Sequence, residues 1–191
     1  TRTRLSKTES HNGRLMSTSR HENKNIFIAW APYSRRSESL VQELDMELRL
    51  IHHLQFQRPL YALFKYVLQT IHTLSLLLRE RPHIVFVQDP PIFASLSVYL
   101  YTLLARVLFG REHKTGYVID AHTGAFLHPW WKPFRWLQKI VYRHALAVIA
   151  TNRTLAELVQ SWRANGIALA GPPIEIPPGD AMALSDDFNL V

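Results

Sequence analysis

The segment GYVIDAHTGAF, residues 116–126, places a carboxylate and an imidazole two positions apart at the end of an apolar run. The run predicts a buried strand, and side chains two apart on a strand point to the same face. A neighbouring carboxylate can fix the tautomer of an imidazole and make it a better proton acceptor. Asp120 and His122 are therefore the candidate catalytic residues, and Thr123 and Gly124 open a turn beside them as candidate substrate contacts.

Two other interpretations of this stretch stay open. The first is a metal site formed by Asp120, His122 and His128, although this spacing is looser than that of common metal-binding motifs. The second is a histidine that is simply hydrogen-bonded at the end of a strand. The chain contains no cysteine, which excludes a disulfide scaffold and a Cys-based zinc site.

Two arginines follow the first predicted strand in the segment WAPYSRRSES, residues 30–39. Arg35 and Arg36 stand at the predicted start of a helix, where backbone N–H groups and guanidinium groups favour a phosphate. Tyr33 precedes them in the same loop and is a further candidate contact. The alternative is a solvated pair of arginines. The loop has neither a G-x-G-x-x-G pattern nor a Walker lysine, so it is not a dinucleotide or P-loop motif.

Two further polar residues follow predicted strands. Asp89, in the segment QDPP, is interpreted either as a cap of the next helix or as a ligand contact in a loop that lines the cleft. Asn152 follows a later strand, and either it or Thr151 caps the helix after it. Both Asp89 and Asn152 are candidate substrate-binding residues.

These residues lie between alternating strands and helices, which predicts an α/β, Rossmann-like three-layer domain. The sheet is mostly parallel with about six strands, and helices cover both faces. In such sheets ligands bind outside the carboxyl ends of the strands. The predicted strands are 25–30, 47–54, 83–91, 115–122, 146–152 and 167–174, and the predicted helices are 34–44, 60–80, 92–110, 129–145 and 153–166.

Charge and composition divide the chain into three parts. Residues 1–24 hold six of the 22 Lys and Arg residues and few apolar ones, which predicts a disordered basic tail. Residues 25–176 form the Rossmann-like domain, and residues 177–191 form a linker or the truncated start of a C-terminal domain. Because the tail supplies much of the net charge of +7, no nucleic-acid partner is predicted.

The aromatic and basic segment 129–145 has two interpretations. It is either a helix on a membrane surface or an ordinary helix that packs on the sheet. The expected location is cytoplasmic, with a peripheral contact to the membrane and no spanning helix. The membrane interpretation exposes Trp130 and Trp131 and brings Lys132, Arg135 and Lys139 near lipid phosphates, whereas the packing interpretation buries Phe134, Leu137, Ile140 and Val141.

Taken in order, WAPYSRRSESL, RPHIVFVQDPP, YVIDAHTGAF, ALAVIATNRTLAEL and PPIEIPP resemble the N-terminal half of a GT-B glycosyltransferase. The likeness extends over about residues 25–178 and is greatest to the group 1, family 4-like retaining enzymes. These include β-1,4-mannosyltransferases acting on lipid-linked sugars. The resemblance implies transfer of a sugar from a nucleotide-sugar to a sugar or lipid-linked acceptor, without a metal or other cofactor.

The resemblance also implies roles for the candidate residues. His122 would contact the transferred sugar or an acceptor hydroxyl, Asp120 would orient it, and Arg35 and Arg36 would contact a phosphate. Enzymes of this family bind the nucleotide with a second domain, so the sequence is interpreted as a fragment or as a subunit whose C-terminal-domain partner is a separate chain. By itself it is expected to be inactive.

Two alternatives to a transferase remain open at this point. One is a non-catalytic Rossmann-like module that binds a nucleotide or a partner protein. The other is a small hydrolase that uses Asp120 and His122, although the absence of G-x-S-x-G counts against a serine hydrolase. The sugar, the acceptor, the stereochemical outcome and the oligomeric state are not predicted.

Overall fold

A computed structural model of the chain describes residues 25–53, 59–110 and 115–169. Within these ranges the chain alternates between strands and helices. The strands are β1 (Asn25–Ala29), β2 (Glu47–Leu50), β3 (Ile84–Asp89), β4 (Gly116–Ala121), β5 (Ala147–Ala150) and β6 (Gly166–Ala168). The α-helices are α1 (Arg35–Glu43), α2 (Pro59–Glu80), α3 (Ile92–Leu108), α4 (Thr123–Leu127), α5 (Arg135–Arg143) and α6 (Arg153–Ser161), with a 3-10 helix at Pro129–Phe134.

The six strands form one parallel sheet in the order β2-β1-β3-β4-β5-β6. Helix α1 packs on one face of this sheet, and α2, α3, α5 and α6 pack on the other. This division follows from right-handed crossovers, because the chain moves one way from β1 to β2 and the opposite way for every later strand. The predicted Rossmann-like three-layer α/β architecture is confirmed.

Strand alternation decides which side chains meet which helices. In β4, Tyr117, Ile119 and Ala121 join the large core under α3 and α5, so Asp120 points to the opposite face. In β3, Val85 and Val87 join the same core. Asp89 therefore points under the α3–α5 layer, whereas Gln88 points to the side of α1.

Several predicted boundaries were wrong. Strand β2 ends at Leu50, four residues before the predicted end. The predicted helix 129–145 is a 3-10 helix followed by α5, because Pro133 removes a backbone donor. A short helix, α4, stands where a turn was predicted. Gly166 does not close α6 but begins β6, since α6 ends at Ser161.

Three predictions lie outside the described residues. They are the basic tail at 1–24, the end of the last predicted strand at 170–174, and the linker at 177–191. These remain predictions.

Candidate functional site

The candidate site lies where the direction of the chain across the sheet reverses. Strands β1 and β3 are neighbours, but the chain leaves β1 toward β2 and returns over β1 to reach β3. Ligands of doubly wound sheets bind in the crevice at the carboxyl ends of such strands. A hydrogen bond from Ser37 Oγ to Gln88 Oε1 (3.3 Å) joins the first turn of α1 to the end of β3 at this point.

Next to this crevice, Arg36 forms an ion pair with Asp120. The Nε atom of Arg36 lies 3.0 Å from Oδ1 and 3.1 Å from Oδ2 of the carboxylate. Asp120 is fully buried and the Arg36 side chain is 12% exposed, so the two charges are largely removed from water. A buried carboxylate of this kind needs its partner, because breaking such a pair leaves an uncompensated charge. Arg36 also donates from Nη2 to the carbonyl oxygen of Leu169 (3.4 Å).

Asp120 also contacts the candidate catalytic imidazole. His122 Nε2 lies 3.2 Å from Asp120 Oδ2, and 30% of the His122 side chain is exposed. A carboxylate accepts hydrogen bonds and does not donate them, so Nε2 of His122 carries the hydrogen. Nδ1 of a neutral His122 is then an acceptor. The backbone is held as well, because His122 N–H donates to the carbonyl oxygen of Asp89 (2.8 Å).

The side chain of Asp89 lies on the other side of the sheet. Its Oδ2 accepts hydrogen bonds from the hydroxyls of Tyr142 (3.0 Å) and Ser95 (3.4 Å). Gln138 Nε2 donates both to the Tyr142 hydroxyl (3.0 Å) and to the carbonyl oxygen of Ala125 (3.3 Å). This buried network connects the end of β3 to α5 and to α4, the helix that follows His122.

Burial of Asp89 raises its pKa to about 7, and the hydrogen bonds from Tyr142 and Ser95 oppose this rise. Burial also raises the pKa of Tyr142 well above its ordinary value, and the nearby Asp89 raises it further. Asp89 is thus an internal acceptor that titrates near neutral pH. It does not cap α3, because the N-cap residue of that helix is Pro91 and no side chain caps it.

The structure places the other predicted contacts at the same edge of the sheet, in different environments. Tyr33 and Arg35 are exposed at the end of the β1 loop and the start of α1. Thr123 Oγ1 lies 2.9 Å from Thr151 Oγ1, which links the ends of β4 and β5. Gly124 lies in α4, and Asn152 Oδ1 accepts from Leu155 N–H (2.9 Å) as the cap of α6.

The metal interpretation gains no support. Within residues 25–53, 59–110 and 115–169, no group of three His, Cys, Asp or Glu side chains is arranged to hold a metal ion. His128 instead caps the 3-10 helix, where its Nδ1 accepts from Trp130 N–H (3.3 Å).

Sequence reasoning missed three parts of the site. It did not pair Arg36 with Asp120, and its assignment of Arg36 to a phosphate stays a prediction. It did not find Tyr142 and Gln138, which lie 53 and 49 positions after Asp89, although the first contacts Asp89 directly. Strand alternation alone gave no signal for these partners, because the faces of Asp89 and Asp120 differ through the register of β3 against β4.

Comparison with known proteins gives the family of the chain. No curated protein matches the chain. Residues 25–168, more than half of the sequence, match the model of the glycosyl transferase 4-like domain. The match begins at the first residue of β1 and ends at the last residue of β6, so it covers the whole sheet. The chain therefore belongs to the glycosyl transferase 4-like domain family, a GT-B-type group of glycosyltransferase domains.

Proposed function

We propose that this domain is the acceptor-binding half of an enzyme that transfers a sugar from a nucleotide-sugar to a sugar or lipid-linked acceptor. The observation that supports this most directly is the Arg36–Asp120–His122 cluster beside the β1–β3 crevice. It presents a partly exposed imidazole, oriented by a buried ion pair, at the edge where ligands of this fold bind. The family match supports the reaction class.

In this proposal His122 is the catalytic residue of the domain. Its Nδ1 accepts a hydrogen bond from a hydroxyl of the acceptor or of the transferred sugar, while Asp120 holds the ring through Nε2. Arg36 is a positioning residue, because it keeps the Asp120 carboxylate in place. Such orientation lowers the barrier by fixing the reacting groups near each other.

The donor is bound by a second domain, in the same protein or in a separate chain. Two-domain architecture is implied by the GT-B resemblance. It also fits the loop after β1, since that loop has no glycine-rich phosphate motif. The exposed Tyr33 and Arg35 face the same edge and are proposed to contact the acceptor or its phosphate.

The test uses the complete enzyme, with both halves present. Release of UDP or GDP is measured from a panel of UDP- and GDP-sugars, with a membrane lipid extract as acceptor. His122→Gln is expected to lower kcat by about 100-fold or more while the melting temperature stays unchanged, since a positioned acid–base group contributes roughly that factor.

The matched control is His83→Gln. His83 is exposed and immediately precedes β3, at the opposite edge of the sheet, so its loss should change neither activity nor stability. Equal activity of the wild-type and His122→Gln enzymes would contradict the role of His122. Absence of nucleotide release from every donor would contradict the transferase proposal and favour the non-catalytic binding module.

A further inference from the structure

The helical layer formed by α2, α3 and α5 is apolar on its outer side as well as on its inner side. Its inner side packs on the sheet through residues such as Leu77, Tyr101 and Val141. On the outer side large apolar residues are exposed along all three helices. They are Leu63, Phe64, Val67 and Ile71 of α2, Leu100, Leu103, Leu104, Val107 and Leu108 of α3, and Trp136 and Ile140 of α5.

This outer apolar face reaches the edge of the sheet that carries the candidate site. Tyr66 of α2 contacts Phe93 of α3, with ring centroids 5.0 Å apart and the ring planes tilted by 37°. Phe93 in turn meets Trp131 and Phe134 of the 3-10 helix edge-on, at 6.2 and 5.1 Å. These contacts join the start of α2 to the 3-10 helix, where Trp130 is 68% exposed.

The elements that form this face are strongly basic. Residues 59–80, 92–108 and 127–143 contain seven Lys or Arg residues and one acidic residue, Glu80. Helix α1, on the opposite face of the sheet, is balanced, with Arg35 and Arg36 against Glu38 and Glu43. Three of the seven, Arg135, Lys139 and Arg143, contact Trp162. The other four basic residues still exceed the single acidic one, so the outer apolar face keeps a basic excess that helix α1 lacks.

We propose that the outer apolar face of α2, α3 and α5 docks on an anionic lipid bilayer. Exposed Trp and Phe side chains beside Lys and Arg are the combination that binds the headgroup region of such a surface. Contact is peripheral, because none of the helices in the described ranges is long and apolar enough to cross a membrane. This inference stands apart from sugar transfer, since the docking surface contains none of the catalytic cluster.

The docking surface differs from the one expected from the sequence. Arg135 and Lys139 do not lie at its centre, because both face the ring of Trp162 at 5.4 and 5.7 Å. Trp131 is packed in the aromatic contacts rather than exposed, and Ile140 is exposed rather than packed. The proposed insertion residues are therefore Trp130 and Trp136 with the apolar stripes of α2 and α3.

A bilayer is favoured over a second copy of the chain by charge. Two copies meeting through this face would bring together two surfaces with the same basic excess, which is unfavourable. An anionic surface has the opposite charge and no fixed shape. It can cover three helices at once.

The experiment measures sedimentation of the 191-residue chain with vesicles of phosphatidylcholine alone or with 30% phosphatidylglycerol. Binding to the anionic vesicles is expected, with weaker binding to neutral ones and a decrease at high salt. The Trp130→Ala, Trp136→Ala double variant is expected to lower the partition coefficient roughly tenfold or more, because it removes two large apolar side chains. Its control is Leu44→Ser with Leu50→Ser, which changes exposed leucines on the α1 side.

Loss of binding in the tryptophan variant, with normal binding in the leucine control, supports the proposal. No binding to anionic vesicles would overturn it, and so would equal losses in both variants. Light scattering after gel filtration provides the remaining outcome. A stable dimer that only the tryptophan variant dissociates would assign the face to a second copy and also overturn the proposal. None of these results depends on transferase activity.

Discussion

Replacing Asp89 by asparagine removes an ionisable group from the interior and keeps an oxygen that can accept the Tyr142 hydroxyl. Asp89 is 1% exposed, and its burial raises the pKa of the carboxyl from 3.8 to about 7. When folding raises the pKa of a carboxyl group, the folded protein is more stable with that group neutral than with it ionised. That stabilisation is complete below about pH 4 and is lost as the pH rises to about 7.

The size of the effect follows from this shift. Each pH unit between the two pKa values changes the free energy of unfolding by about 1.4 kcal/mol. Between pH 5 and pH 8 the titration of Asp89 covers about two such units, so the wild-type protein should lose about 2 to 3 kcal/mol from this group. Asp89→Asn has no proton to lose at this position, so its free energy of unfolding should lack this pH-dependent contribution.

The measurement is urea unfolding of the wild-type and Asp89→Asn proteins at pH 5 and pH 8. The difference in stability between them should shift by about 2 to 3 kcal/mol in favour of asparagine at the higher pH. Glu157→Gln is the matched control, because Glu157 pairs with Arg153 on the surface and its removal should leave the pH dependence unchanged. The same pH dependence in wild-type and Asp89→Asn proteins would refute the assignment of a buried, neutral-pH carboxyl.

Two further predictions concern the elements around the site. Tyr142→Phe should destabilise the protein by about 1 to 3 kcal/mol, because it removes the hydroxyl that donates to Asp89 and accepts from Gln138. Unfolding measurements at pH 8 check this prediction, and an unchanged free energy of unfolding would contradict the network. Gly166→Ala should cost about 1 to 3 kcal/mol, since its Cβ would lie 2.4 Å from the backbone oxygen of Ala156. Gly124→Ala should be tolerated, because its Cβ would meet only Pro90 Cγ at 3.7 Å. Thermal unfolding of both alanine variants compares the two positions. Equal losses of stability would show that the close approach at Gly166 has no energetic effect.

The architecture was predictable because it rests on local patterns. Apolar runs that end in polar residues gave the strands, and the spacing of apolar residues gave the long helices α2 and α3. The pair Asp120 and His122 was also predictable, since alternation along a strand fixes their relative direction.

The partners of these residues were not predictable from local patterns. Arg36 lies 84 positions before Asp120, and only the sheet order brings α1 over the end of β4. Asp89 and Asp120 end adjacent strands and look equivalent in the sequence. They differ because β3 and β4 pair Gln88 with Asp120 and Asp89 with Ala121, so the two carboxyl groups leave the sheet on opposite faces.

The distance in sequence between Arg36 and Asp120 also sets the time at which the site can exist. A ribosome that adds about 5 to 20 residues per second needs about 4 to 17 seconds to make the intervening 84 positions. Strand β1 also lacks its inner neighbour, β3, for most of that time, because β3 follows the long helix α2. Nascent chains that end before β4 can therefore contain α1 but no ion pair, and the imidazole cannot be oriented until β4 and His122 have been made.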